Sequence, residues 1–479
     1  MSNIESNSNH IRVAVIGSGP AGFYAADHLL KSKEIDAEID MYDRLPTPHG
    51  LVRNGVAPDH QKIKSVTRVY DKIAKDPRFR FTGFVEYGKH IHLEDLKNHY
   101  HVVVFATGAQ TDRRMNIPGE DLNGSHPATE FVAWYNGHPD YRDLEFDLSC
   151  ETAVIIGVGN VAIDAARILC LSEKELRATD IAEHALNTLL NSKIRDIYII
   201  GRRGPAQASF TNPELRELGE LEDAVPLALT DEVEPDELSL EEISASGDEA
   251  VERRIEILRE YAANSVSDKR KRLHLRFLLS PAEIVDNGEG KAGTLRLMKN
   301  ELYRSEDGSI KSRSTDERIE IPAGLVFRSI GYQGVPLPGI PFNDKWGTIH
   351  NEKGRIIDPG TNAPIPGLYA TGWIKRGASG VIGTNKTDSA ETAACIIEDV
   401  KNGISLKPNS TGNGHVEELI RERQPHYITY EDWLKIDSLE IARGGECGRP
   451  RLKFTSIEEI FTALKGTGYV TEHFGADKS

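Results

Sequence analysis

Two glycine-rich runs carry the chemistry of this sequence, and they end differently. Gly17-Ser18-Gly19-Pro20-Ala21-Gly22 follows the apolar run Val13–Ile16, and Gly157-Val158-Gly159-Asn160-Val161-Ala162 follows Val154–Ile156. Glycines at this spacing permit a tight turn, close approach of a pyrophosphate, and packing of the next helix on the sheet. The N-terminus of that helix supplies positive potential. After the first run the next apolar strand, Ile39–Tyr42, stops on the carboxylate Asp43. After the second, Ile197–Ile200 runs into Gly201-Arg202-Arg203-Gly204. A carboxylate there suits a free ribose 2′-hydroxyl. Paired arginines suit a 2′-phosphate, each charge-assisted bond contributing about 1.5–3 kcal/mol. The pattern predicts two dinucleotide sites, the second for NADP, and so electron transfer between cofactors.

The elements that must hold these residues read strand–turn–helix–strand twice. Ile11–Ile16 and Ala153–Ile156 are the expected strands, Ala21–Leu30 and Val161–Leu171 the helices. The gap from Gly157 to Arg202 exceeds the usual ~20 residues, so Ser172–Leu190 reads as helix inserted before the second strand. Val102–Gly108 and Leu325–Gly331 are further strands ending in glycine, as close approach to a cofactor requires. Gly367–Trp373 precedes Gly380-Val381-Ile382-Gly383 and a helix expected over Asp388–Lys401. The acidic Glu220–Glu252 reads as a solvated excursion and the basic Lys269–Arg276 as a solvated strand edge. Asn402–Gly414 reads as a linker, and His415–Ser479 as a C-terminal appendage.

The chain has 479 residues, room for two large domains, with 39% hydrophobic and 28% charged residues, which is ordinary for a globular protein. A net charge of −16 argues against nucleic acid and against an anionic membrane surface as partners. No apolar run approaches the roughly 18 residues of a membrane span. Met1–His10 is polar, without a signal core, so a cytoplasmic protein is expected. Cys150, Cys170, Cys395 and Cys447 show no C-x-x-C spacing. That removes a redox dithiol and the common iron–sulfur ligand runs, and no metal site is expected.

Longer stretches carry a family resemblance. They include Leu45-Pro46-Thr47-Pro48-His49-Gly50-Leu51-Val52-Arg53, Gly55-Val56-Ala57-Pro58-Asp59-His60, Gly201-Arg202-Arg203-Gly204-Pro205 and Glu214-Leu215-Arg216-Glu217. Gly372-Trp373-Ile374-Lys375-Arg376-Gly377 and Gly380-Val381-Ile382-Gly383-Thr384 continue the series. From about residue 11 to 400 the chain resembles ferredoxin–NADP reductases of the adrenodoxin-reductase type, particularly the actinobacterial ones. Asp43, where the family usually has Glu, is a departure.

The resemblance implies an α/β fold of two Rossmann-like dinucleotide-binding domains in a glutathione-reductase-like arrangement. The FAD domain would comprise residues 1–110 and 326–401, the NADP domain 111–325, with 402–479 a linker and extension. Besides Gly17, Gly19, Gly22 and Asp43, the residues implied for FAD are Ala21, Leu51, Val85, Trp373 and Gly380, Val381 and Ile382. For NADP they are Arg113, Gly157, Gly159, Asn160, Val161, Arg202, Arg203 and Glu214, with Gly380 shared. His60 and Glu214 are the implied catalytic pair, orienting NADPH or relaying protons. The plainer alternative makes His60 a loop anchor and Glu214 a helix carboxylate. The implied function is an FAD-dependent NADPH:ferredoxin oxidoreductase. A flavin-dependent monooxygenase and a non-catalytic NADP sensor remain as alternatives. Because ferredoxins are acidic, Lys375, Arg376, Arg443, Arg449 and Arg451 are candidates for a docking face for such a small iron–sulfur protein.

Overall fold

A computed structural model describes residues 10–266, 268–409 and 413–466. Most of the polar N-terminal stretch (1–9), three residues of the expected linker (410–412) and the end of the appendage (467–479) lie outside the described residues.

Consecutive Val and Ile residues build strands buried on both faces, which is the setting of a parallel sheet covered by helices. In His10–Ile16 every residue after His10 is buried. It pairs in parallel with Asp36–Asp43 on one side and Val102–Phe105 on the other, placing Ile16 opposite Tyr42 and Phe105. Phe79–Gly83 and Ala363–Ala370 extend this sheet outward. Pro20, preset for the first helical turn, opens the helix Pro20–Leu30, which packs on the long helix Thr384–Lys401.

The second sheet repeats the plan. Thr152–Ile156 lies between Asp196–Ile200 and Leu325–Arg328, all parallel, and the helix Asn160–Cys170 follows it, so residues 326–328 belong to this unit and not to the first as expected. A three-stranded antiparallel sheet of Leu279–Asp286, Ala292–Arg304 and Ile310–Pro322 packs Leu295, Leu297 and Ile321 against Val154 and Val326. The chain passes between the two units twice, and the passages pair with each other: Asp112 opposes Tyr332 and Thr111 opposes Gln333.

Several elements differ from their sequence reading. Ser172–Leu190 forms two helices, Glu173–Arg177 and Glu183–Leu190; Ser172 and Glu175 make a capping box that starts the first. Lys271–Arg276 is an interior strand between Asp196–Ile200 and Ala224–Ala228, not a solvated edge. Lys271 is buried with Nζ on the carbonyls of Leu169 (2.9 Å) and Leu171 (3.2 Å), ending that helix. The acidic excursion folds into Ala224–Ala228 and the helices Thr230–Val233, Glu237–Ser246 and Glu249–Ala262, burying Val233. Glu232 in it takes Arg276 in an ion pair of 2.7 Å. The appendage is packed: Ile428–Thr429 adds antiparallel to Phe79–Gly83, and Tyr430–Glu446 buries Trp433 and Ile436.

Candidate functional site

Each glycine of the first run has its own steric reason. At Gly17 (φ +109°) a Cβ would lie 2.5 Å from the Ala106 carbonyl oxygen, and at Gly22 it would lie 2.3 Å from that of Gly17. At Gly19 a Cβ would meet nothing within 4 Å. The two outer glycines are therefore demanded by the turn and the helix packing, while Gly19 leaves its space to a ligand, which suits a pyrophosphate. Gly50 (φ +49°) backs onto Gly19, its own Cβ position 2.9 Å from the Gly19 Cα, and carries Leu51 to this loop.

Asp43 ties the loop down. Its Oδ2 accepts from the Ser18 amide (2.8 Å) and hydroxyl (2.6 Å), its Oδ1 from the Leu45 amide (2.9 Å). Of about four acceptor positions on a carboxylate, one remains for a ribose hydroxyl. Val85 is buried beside it and donates its amide to the Asp43 carbonyl (2.8 Å). Gly372 (φ +75°) approaches Ala21 so closely that a Cβ would be 2.5 Å from the Ala21 methyl. Trp373 follows, and its indole N–H donates to the Ser379 carbonyl (3.1 Å), holding the loop that precedes Gly380 (φ +76°), Val381 and Ile382. Val381 is 51% exposed at the entrance to Thr384–Lys401, an apolar surface in front of a helix N-terminus. A planar ring that gains negative charge on reduction suits that position.

In the second run Gly157 (φ +135°) has the same obligation: a Cβ would lie 2.0 Å from the Ser329 carbonyl oxygen. Ala162 is fully buried, so a methyl is accommodated where a third glycine is usual. A Cβ at Gly159 would sit 3.3 Å from the Ser209 hydroxyl. Asn160 accepts from the Thr211 amide (2.8 Å), anchoring the start of the helix Asn212–Glu217 beside the half-buried Val161. The Arg202 and Arg203 side chains have no hydrogen bond or ion pair among the described residues. Burial and then the neighbouring Arg202 charge push the Arg203 guanidinium below its ordinary pKa. A 2′-phosphate would relieve that repulsion. Arg113 lines a cavity of about 560 Å³ with Tyr332, Trp346 and Ser379.

His60 and Glu214, far apart in sequence, meet at the seam between the units. His60 Nε2 is 3.6 Å from Glu214 Oε2 and hydrogen-bonded to Glu217 Oε2 at 2.8 Å. Arg167, on the helix after the second run, organises the cluster. It bonds Asp59 through Nε (2.7 Å) and Nη2 (3.1 Å), Asp164 through Nη2 (2.8 Å) and Glu214 through Nη1 (3.3 Å). Burial raises the Glu214 carboxyl above its ordinary pKa, helped by Asp164, and burial likewise raises Asp164. Burial would raise Asp59 too, but the bonded Arg167 holds it low. His60, Glu214 and Glu217 place ligand atoms within 4.8 Å of one another, yet Arg167 already supplies positive charge to both carboxylates at 3.3 Å.

Arg167, Asp164 and Glu217 were not among the sequence candidates, and Asp59 entered only beside His60 in a family stretch. The signal was present only as Asp164 and Arg167 at i, i+3 on the helix that opens at Asn160. Of the proposed docking cations, Lys375, Arg376, Arg449 and Arg451 have their partners inside the molecule, which argues against a free docking face at those four. Lys375 is buried on Asp388 (3.2 Å) and Glu391 (2.7 Å), and Arg376 pairs with Asp388 (3.3 Å). Arg449 is buried on carbonyls of Thr179 and Ile181, Arg451 bonds Asp437 (2.7 Å), and Arg443 lies over the Phe454 ring (4.4 Å). All four cysteines are free thiols.

Two nucleotide cradles of different ribose chemistry, meeting at a seam without a dithiol, define a pyridine-nucleotide flavoprotein reductase. Residues 11–200 match the pyridine nucleotide-disulphide oxidoreductase family. The chain is 45% identical over 458 residues to "NADPH-ferredoxin reductase FprA" of Mycobacterium tuberculosis, spanning 94% of this chain and 98% of that protein. It is 41% identical to "NADPH:adrenodoxin oxidoreductase, mitochondrial" of Arabidopsis thaliana, covering 96% of each. The solved structure of M. tuberculosis FprA in complex with NADPH superposes with a TM-score of 0.88 at 44% identity, over 95% of this chain and 99% of that one. The chain belongs to the NADPH–ferredoxin reductase family of the adrenodoxin-reductase type.

Proposed function

We propose that the protein is an FAD-dependent NADPH:ferredoxin oxidoreductase, with FAD in the Gly17–Gly22 cradle and NADP in the Gly157–Ala162 cradle. The observation that carries this is the contrast between the two ribose ends: a carboxylate already tied to its own loop at Asp43, and an unpaired Arg202–Arg203 fork. The first suits a resident cofactor and the second an exchanging, phosphorylated one. When bound, the flavin accepts a hydride from NADPH and passes electrons singly to an iron–sulfur protein.

The residues of this chain bind, orient and hold protons. Arg202 and Arg203 take the 2′-phosphate; Asn160, through Thr211, sets Glu214 at the edge of the same site. Glu214, raised by burial, keeps its proton to higher pH than an ordinary carboxylate and can donate it to a neutral acceptor on the nicotinamide. His60 closes the seam from the flavin side, held by Glu217. Trp373 and Val381 exclude water from the flavin face.

The names of the relatives favour this reading over a flavin monooxygenase. No helix of the described residues is long and apolar enough to cross a membrane. Free thiols throughout support a reducing compartment, the cytoplasm. The test is NADPH-driven cytochrome reduction with and without an added ferredoxin. Turnover that depends on the ferredoxin supports the assignment; turnover indifferent to it removes the iron–sulfur partner.

A further inference from the structure

Lys453 is a deeply buried lysine that none of the roles above employs, its side chain 1% exposed. Its ammonium donates to the Arg53 carbonyl (3.2 Å), the Asn136 carbonyl (3.1 Å) and the Asn136 side-chain oxygen (3.2 Å). It also stands 3.6 Å from Asp180, which takes Lys64 on its two oxygens at 2.6 and 2.9 Å. Arg53 and Lys64 belong to Leu51–Asn54 and Gln61–Lys64, the short helices that bracket Asp59 and His60. Asn136 and Asp180 belong to the other unit, the first at the end of Ala128–Tyr135 and the second just before Glu183–Leu190. One ammonium thus ties the flavin-side segment that carries His60 to the NADP-side unit.

Its neighbours repeat the pattern. Arg449 grips the NADP side through the Thr179 carbonyl (3.0 Å) and Glu183 (2.8 Å). On the other side Arg53 makes a bidentate pair with the buried Glu440 (2.8 and 2.6 Å), and Glu440 accepts from the Phe454 amide at 2.9 Å. The Lys64 amide donates to the His60 carbonyl (3.2 Å), so the tie at Lys64 reaches His60 within one helical turn.

We propose that residues 449–455 form a strap across the seam that sets the separation of the two dinucleotide sites, with Lys453 its positioning residue for hydride transfer. This rests on the oxidoreductase reading. Apart from the shared Gly380, the determinants of each dinucleotide lie within its own unit, so loosening the strap leaves most of the binding in place and spoils their mutual register. Hydride transfer is sensitive to that register, since a misplacement of about 1 Å can cost about 10²-fold. Loss of Lys453 does not strand Asp180, because Lys64 still pairs with it.

The test compares Lys453→Met and Arg449→Gln in the full flavin-loaded chain. Arg449→Gln leaves the buried cluster in place should the first variant fold poorly. The strap predicts flavin content and NADP+ dissociation constant within about twofold of the parent, single-turnover bleaching of the flavin by NADPH slowed about tenfold or more, and faster hydrogen exchange at residues 58–64 and 177–183. Bleaching at the parent rate overturns it, and so does slowing matched by an equal loss of NADP+ affinity or flavin, which marks a local packing fault. Unchanged exchange in both segments overturns the strap even in a chain that NADPH does not reduce. A failure of the oxidoreductase reading would show in the parent chain instead.

Discussion

Arg202 and Arg203 stand side by side without a hydrogen-bonded or ion-paired carboxylate, Glu242 acting on Arg203 only through its field, so the pair repels itself until an anion arrives. Replacing both with Ala removes at least two charge-assisted bonds, so KM for NADPH should rise about 100-fold or more while that for NADH stays nearly level. Steady-state kinetics with the two dinucleotides measures this; equal effects on both would place the arginines away from the 2′-phosphate. Glu214 yields a pH signature. Its carboxyl is raised by burial and by Asp164, so its protonated form persists above the ordinary carboxylate range. A rate that uses that proton is level at low pH and declines as pH rises through the raised value. Stopped-flow flavin reduction from about pH 5 to pH 9 should show the decline, and Glu214→Gln should flatten it. The strand ends at Asp43 and Arg202–Arg203 were readable because each follows a largely apolar strand in sequence. Arg167 was not, since its partners Asp59 and Glu214 come from segments far apart in the chain, and a lone arginine in an amphipathic helix carries no local mark of them.

Among elements, the paired passages at Thr111–Asp112 and Tyr332–Gln333 are the joint on which the two units are hung. Asp112 is raised from 3.8 to about 6 by burial, against a hydrogen bond from the Thr129 hydroxyl that lowers it. The folded state therefore binds more protons than the unfolded one between those values. This stabilising contribution is present below 3.8 and lost as pH rises through about 6. Asp112→Asn should then gain about 1–2 kcal/mol over the parent above neutrality and little near pH 4, read from denaturant unfolding at the two pH values. Strand–turn–helix units were legible from apolar runs ending in glycine, because buried parallel strands need continuous hydrophobic residues. Lys271–Arg276 was misread for the converse reason. Its charged residues alternate with Leu273 and Leu275, and the burial of Lys271 depends on two carbonyls at the end of a distant helix. The packing of the appendage was invisible for a related reason: Trp433 and Ile436 cluster with Phe454, Ile460 and Leu464, and Ile428 docks that cluster on a strand several hundred positions earlier.

For the whole molecule, function lies in the relation between the two units. On the proposed reading the first cradle retains its dinucleotide and the second exchanges it, and the cluster around Arg167 lies where the two units meet. Electrons leaving the flavin go to an external iron–sulfur acceptor, as the match to NADPH-ferredoxin reductases shows, and the four cysteines are free thiols. The most direct measurement is an anaerobic titration of the purified yellow protein. One equivalent of NADPH should bleach one equivalent of flavin, and two equivalents of an oxidised one-electron ferredoxin should restore the colour, balancing a two-electron donor against single-electron acceptors. A colourless protein, or a flavin that NADPH bleaches and only oxygen restores, would contradict the account.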